Sequence, residues 1–147
     1  MNRLIFLVGL PGSGKSTYAE KYLSASCEIL SSDKLRKELL KDVNNQKHNF
    51  FIFNTLYKRA RKFLKQGKDV VIDATNVDFL ERVKNLKRFE DLNIKKVAIV
   101  FKTPFEECVK RDVMRKRTVG EDVIKHFQAK FIIPTKEEGF DEIIFIE

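Results

Sequence analysis

Short apolar runs alternate along the chain with longer stretches in which apolar positions recur every three or four residues. The runs are Leu4–Val8, Glu28–Leu30, Asp69–Asp73, Lys96–Phe101 and Glu142–Ile146. Several are rich in β-branched residues and lack polar alternation, the pattern of strands buried on both faces. Between them the spacing predicts helices. One begins at Ser16 and fades near Ser24, and one covers Asp33–Leu40. A longer one covers Asn45–Gln66, with Phe50, Phe53, Tyr57, Ala60 and Leu64 on one stripe and Gly67 as its stop. Asp78-Phe-Leu-Glu81 and Thr103-Pro-Phe-Glu106 read as capping boxes, the second with proline at the first helical position. A last helix is expected over Glu121–Lys130. Strands alternating with helices predict an α/β fold: a parallel sheet with right-handed crossovers.

The 147 residues suit one domain, 1–147, and no repeat or linker interrupts them. With 43% hydrophobic and 34% charged residues, a disordered tail or a fibre is excluded. No apolar run approaches the ~20 residues of a membrane helix. The first apolar run passes straight into glycine-rich sequence, unlike a signal peptide. A cytoplasmic protein with no membrane partner is therefore expected. Cys27 and Cys108 form no CxxC pair and share no metal-ligand spacing with the two histidines, so both are expected as buried, reduced thiols.

Charge is concentrated in two stretches. The chain carries a net +8, and residues 36–68 hold ten Lys or Arg against Glu38 and Asp42, so the remainder sums to zero. A second cluster, Lys110–Arg117, has five basic residues and one acid. Concentrated positive charge points to a polyanionic partner. Lys58–Lys68 alone would also suit the solvated face of a helix.

Gly9-Leu-Pro-Gly-Ser-Gly-Lys15-Ser16 matches GxxxxGK[ST], with an apolar strand before it and an amphipathic helix after it. Gly9, Gly12 and Gly14 let the backbone turn and approach an anion without a β-carbon. Successive amides then point at phosphate oxygens, at the positive end of the following helix. Lys15 brings a mobile charge to β- and γ-phosphates, and Ser16 offers its hydroxyl to Mg²⁺. Gly9, Gly12, Ser13, Gly14, Lys15, Ser16 and Thr17 form the candidate nucleotide-binding set.

Asp73 closes an apolar strand, where a carboxylate reaches Mg²⁺ directly or through water; the alternative is a cap on the strand–helix loop. Ala74-Thr75-Asn76 follows it at the same mouth of the sheet, outside whose strand ends ligands bind. Asp33, in Ser32-Asp33-Lys-Leu-Arg36, suits either a helix cap or a general base that takes a proton from an attacking hydroxyl. Arg36 would lie one turn on, on the same side. An acid and a base together suit an acceptor with both a hydroxyl and a phosphate. Arg111 and Arg115 are four apart and would share a helix face. They read as a lid over a phosphoryl group or as a basic surface turn.

With these motifs in this order, the chain resembles the small P-loop kinases. More closely, it resembles the 5′-hydroxyl polynucleotide kinase domain of phage and bacterial end-healing enzymes, from Leu4 to the last strand. Gly-Leu-Pro-Gly-Ser-Gly-Lys-Ser-Thr-Tyr-Ala is similar to that family's loop and first helix, and Asp33-Lys-Leu-Arg36 to its Asp-x-x-Arg motif. The resemblance implies that Asp33 is the general base for the 5′-hydroxyl. It implies that Arg36 contacts the phosphate on the 3′ side of the terminal nucleoside. Val109-Lys110-Arg111 leading to Arg115 is similar to the family's lid, about 110–120. That implies Arg115, with Arg111 beside it, on the donor phosphates.

The resemblance further implies Thr75, Asn76 and Arg82 near the acceptor, and Pro134 in a segment that closes over the nucleobase. It implies a P-loop NTPase/kinase fold: a five-stranded parallel sheet sandwiched by helices, with a small basic lid. ATP or another NTP would be the donor with Mg²⁺, and single-stranded 5′-OH ends of DNA or RNA the acceptor. Fused phosphatase or ligase domains are not in this sequence, so separate partners of those kinds are expected. Two other functions suit the same motifs. One is a kinase of a small-molecule hydroxyl, such as a nucleoside, sugar or antibiotic. The other is a nucleotide-binding switch or assembly ATPase.

Overall fold

β1 (Arg3–Val8) occupies the middle of the sheet, and Leu4 through Val8 are wholly buried, which explains their lack of alternation. The computed structural model describes residues 1–41, 48–115 and 118–147. After β1 come α1 (Lys15–Tyr18), continued by a π-helical turn over Ala19–Leu23, then β2 (Cys27–Ser31), α2 (Ser32–Leu40) and α3 (Asn49–Lys65). β3 (Asp69–Asp73), α4 (Phe79–Lys87), β4 (Lys95–Phe101), α5 (Phe105–Val113) and α6 (Glu121–Lys130) follow. A 3₁₀ turn at Lys136–Glu138 leads into β5 (Glu142–Ile146).

The five strands form one parallel sheet in the order β2-β3-β1-β4-β5. Register brings Leu7 beside Asp73 and Ser31 beside Asp73, so the ends of β1, β2 and β3 open at one edge. One sheet face buries Leu4, Phe6 and Val8 under Leu35 of α2, Ile52, Leu56 and Leu64 of α3, and Leu86 of α4. The other face buries Ile5 and Leu7 against Ala19. A small cluster of Leu10, Cys108 and Ile124 joins α5 and α6 to the loop after β1. Among the described residues no helix is long and apolar enough to cross a membrane.

Three local expectations need correction. α3 begins at Asn49 and its buried row is Ile52, Leu56, Ala60 and Leu64 with Tyr57, while Phe50 is 77% exposed. Phe50 stands two residues from Ile52, about 200° around the helix, and so faces away from the core. The helix start expected at residues 45–47 lies outside the described residues. Thr103 does not cap α5: the cap position is Pro104, and the Thr103 hydroxyl donates to the Ser13 carbonyl at 2.9 Å. Cys27 is half-buried at the edge strand, whereas Cys108 is buried; both are free thiols. Asp78 does cap α4, accepting from the Leu80 amide at 2.9 Å.

Leu56→Ala should lower unfolding free energy by about 2–5 kcal/mol, because it leaves a cavity in the core. Phe50→Ala should stay within about 0.5 kcal/mol. Urea titrations of both variants beside the parent check this, and equal losses would refute the corrected helix face.

Candidate active site

The loop from Gly9 to Ser16 turns at the open edge of the sheet, where positive φ disfavours a side chain at two glycines. A β-carbon at Gly12, whose φ is +84°, would stand 2.5 Å from the Cys108 carbonyl oxygen of α5. One at Gly14, with φ +95°, would come within 3.3 Å of the Arg111 guanidinium. So α5 is packed directly on the loop, and Arg111 reaches over it. The Gly9 amide donates to the Thr75 carbonyl at 3.0 Å, which ties the end of β1 to the loop after β3.

Lys15 is buried, and its three donor positions are spent on the Gly9 carbonyl at 2.9 Å, the Leu10 carbonyl at 2.8 Å and Ser13 Oγ at 3.4 Å. Burial lowers its ammonium from 10.5 to about 8, partly opposed by the negative charge of Asp73. Ser16 Oγ donates to Asp73 Oδ2 at 2.7 Å. Burial raises the Asp73 carboxyl above its usual range, while the Ser16 hydroxyl and the Lys15 charge pull it back. A hydroxyl and a carboxylate so placed suit Mg²⁺, which takes few protein oxygens and completes its shell with phosphate and water. Among the described residues no group of three or more His, Cys, Asp or Glu side chains could hold a metal ion.

One cleft of about 1330 Å³ joins the loop, Asp33, Arg36, Asp73, Thr75, Arg111 and Arg115. Ser31 caps α2 by accepting from the Lys34 amide at 3.3 Å, so Asp33 has no need to serve as the cap. The Asp33 side chain is 46% exposed, and Arg36 Nη1 donates to its Oδ1 at 3.1 Å. The Arg36 side chain is only 6% exposed. Its Nη2 donates to Asn49 Oδ1 at 2.7 Å, and its guanidinium lies over the Phe53 ring at 5.7 Å.

α5 ends at Val113, so Arg115 stands beyond the helix and the expected shared helix face stops short of it. Instead Arg115 donates to buried Asp112 at 2.5 Å. The Asp112 carboxylate also accepts from the Val119 amide at 3.0 Å and the Gly120 amide at 2.9 Å. Burial pushes that carboxyl up, but the amides and the arginine outweigh it and hold it below its usual range. Within the expected lid, Lys116 and Arg117 lie outside the described residues.

Three expected contact residues are not brought to the cleft. Arg82 is buried: its Nε and Nη2 reach Glu138 at 2.7 and 3.1 Å, and its Nη1 reaches the Asn76 and Val77 carbonyls at 3.0 and 2.9 Å. With its donors spent, it braces the loop after β3 rather than meeting an acceptor. Asn76, at φ +50°, donates to the Leu7 carbonyl at 2.7 Å. Pro134 is buried and does not line the cleft; the amide of Thr135 after it donates to Glu138 at 3.0 Å.

The basic run is partly neutralised. Arg59 pairs with Glu38 at 2.7 Å, Lys68 with Glu28 at 3.6 Å, and Arg61 with Asp91. Lys47 lies outside the described residues. Sequence reasoning missed Asn49, Phe53 and Asp112. A lone acid inside the basic run 110–117 was the available signal for Asp112; Asn49 and Phe53 carry none without the packing.

The strand order and the loop define the architecture of a P-loop kinase. The family described as an AAA domain matches residues 4–134, and the chain belongs to it. The L-seryl-tRNA(Sec) kinase of Methanococcus maripaludis is 29% identical over 150 residues, covering 94% of this chain and 56% of that protein. The putative bifunctional polynucleotide phosphatase/kinase of Acanthamoeba polyphaga mimivirus is 29% identical over 150 residues, covering 95% of this chain and 32% of that protein. The chain thus spans about half and about a third of these relatives. In the Pnkp1/Rnl/Hen1 RNA repair complex, a chain 23% identical superposes with a TM-score of 0.76, over 88% of this chain and 43% of that one. That likeness is one of fold.

The lowered Lys15 value has a signed consequence. Between about 8 and 10.5 the unfolded chain holds a proton that the folded chain has lost, so the Lys15 contribution to stability rises with pH across that window. Parent and Lys15→Met should therefore diverge in the parent's favour from pH 7.5 to about pH 10 in denaturant titrations. A pH-independent difference would refute a buried ammonium.

Proposed function

We propose that this domain transfers the γ-phosphate of ATP, or of another NTP, to the 5′-hydroxyl end of single-stranded DNA or RNA. The observation that carries this reading is the pairing of half-exposed Asp33 with buried Arg36 in the same cleft as the phosphate loop. A base for a hydroxyl stands beside a cation for a phosphate, which matches an acceptor bearing both.

In the mechanism, the loop amides hold the donor phosphates, and the Lys15 ammonium leaves the Gly9 and Leu10 carbonyls to join them. Ser16 and Asp73 would hold Mg²⁺, which when bound supplies charge neutralisation on the β- and γ-oxygens. Asp33 accepts the proton of the attacking hydroxyl as its oxygen bonds to the γ-phosphorus and the bond to the β–γ bridging oxygen breaks. Arg36 fixes the acceptor phosphate, with Asn49 and Phe53 holding the guanidinium flat. Arg111 and Arg115 stabilise charge on the moving group from the lid side. A kinase domain over residues 1–147, a cytoplasmic location and phosphatase or ligase partners belong to the same proposal.

A second reading, phosphorylation of a hydroxyl on a different acceptor, is supported by the likeness to an L-seryl-tRNA(Sec) kinase. Labelled γ-phosphate transfer separates the two. A 5′-OH oligonucleotide should be labelled and its 5′-phosphorylated counterpart should not. Asp33→Ala should cut transfer by about 10²–10⁴-fold while nucleotide affinity stays within a few-fold. Label on a small hydroxyl compound alone would favour the second reading.

Arg36→Ala should raise KM for oligonucleotides by tenfold or more and leave a bare nucleoside nearly untouched, since only the former presents a phosphate. Steady-state kinetics on both acceptors check this, and equal losses would remove Arg36 from its role.

A further inference from the structure

Arg111 and Arg115 both line the cleft, and each is paired with a carboxylate of its own segment. The two pairs differ in kind. Arg111 meets Glu107 at 3.3 Å, with side chains 48% and 43% exposed. In solvent such a pair restrains little. Arg115 meets Asp112 at 2.5 Å, and the Asp112 side chain is only 3% exposed. Asp112 itself does not line the cleft.

The Asp112 carboxylate is registered to the phosphate loop by the core. Asp112 stands one turn after Cys108 on the same buried face of α5, and the Cys108 carbonyl is the group that lies against Gly12. The carboxylate also accepts from the amides of Val119 and Gly120, in the segment that enters α6. Beyond that segment, Ile124 closes on Cys108 and Leu10 in one cluster. Arg115 has no such support of its own, because it stands past the last residue of α5. A long side chain there would have to be ordered when it meets a phosphate, and that ordering weakens the contact. The bond to Asp112 orders it beforehand. That bond uses Nη2, and a guanidinium carries five N–H donors, so a phosphate can be met without breaking it.

We propose that Asp112 is a positioning residue for phosphoryl transfer: it holds the Arg115 guanidinium over the donor phosphates and touches neither donor nor acceptor. This inference rests on the phosphoryl-transfer reading and on the place of Arg115 in it. It does not depend on which hydroxyl accepts.

The test measures labelled γ-phosphate transfer by the intact chain to the 5′-OH oligonucleotide, or to a small hydroxyl compound if only that is labelled. Arg115→Ala should lower kcat about 10²–10³-fold. Asp112→Ala should lower kcat about 10–100-fold while KM for ATP moves less than about threefold. Because Asp112 acts through Arg115, adding Asp112→Ala to Arg115→Ala should lower kcat by less than about twofold more. Free guanidinium ion should restore the kcat of Arg115→Ala about fivefold and leave the double variant unchanged, since the carboxylate that seats it is gone. Glu107→Gln, at the exposed pair, should keep kcat within about twofold of the parent. If circular dichroism shows Asp112→Ala unfolded, Asp112→Asn takes its place in the same cycle, because it keeps an oxygen for the Val119 and Gly120 amides.

Losses that multiply in the double variant overturn the inference and leave the kinase reading standing. So does guanidinium rescue that survives without Asp112, or an Arg115→Ala variant as active as the parent. A parent that labels no hydroxyl overturns the inference and the phosphoryl-transfer reading together.

Discussion

The turn between β1 and α1 must present its amides inward while lying within contact distance of α5, and the rest of the site depends on this constraint. At Gly12 a β-carbon would collide with the Cys108 carbonyl oxygen. Because the loop is pressed there, Thr103 can bond Ser13, Arg111 can reach over Gly14, and Lys15 is turned onto the Gly9 and Leu10 carbonyls. The same placement sets Ser16 of α1 against Asp73 at the end of β3 at 2.7 Å, joining residues 57 apart in sequence.

Buried charge is used for two different ends. Arg82 and Glu138 form an ion pair with side chains 0% and 1% exposed, fully supplied with hydrogen bonds. Such a pair is costly to desolvate, and losing one partner costs about 3–5 kcal/mol, so its contribution is arrangement more than net stability. Through Asn76 and Val77 it holds the loop whose Thr75 carbonyl receives the Gly9 amide. Asp112 serves the lid in a comparable way: one carboxylate holds Arg115 and the approach to α6 together.

Electrostatics also separate surface from site. Arg59, Arg61 and Lys68 are paired with acids at the surface, where ion pairs contribute little and screen their own charge. Arg36 is different, held almost out of solvent by Asn49 and Phe53 beside Asp33. A cation so oriented has paid its ordering cost before an anion arrives.

Much of this protein is written locally. The phosphate loop, the five strands and the end of α6 are legible because glycine spacing, β-branched runs and period identify them without reference to distant residues; β3, β5 and α6 match their expected spans. The proximity of Asp33 and Arg36 is legible too, since one helical turn separates them. Which arginine meets the cleft is not. Arg82 and Arg111 look alike in sequence, yet Glu138, 56 residues further on, takes Arg82 into the interior while Arg111 is left over Gly14. Phe50 and Phe53 differ in the same way: rotation of α3 against the sheet turns one to solvent and the other under Arg36. Local backbone preference determined the elements and the loop; the partners of buried polar groups, which must be satisfied across long sequence separations, were decided by the tertiary structure alone.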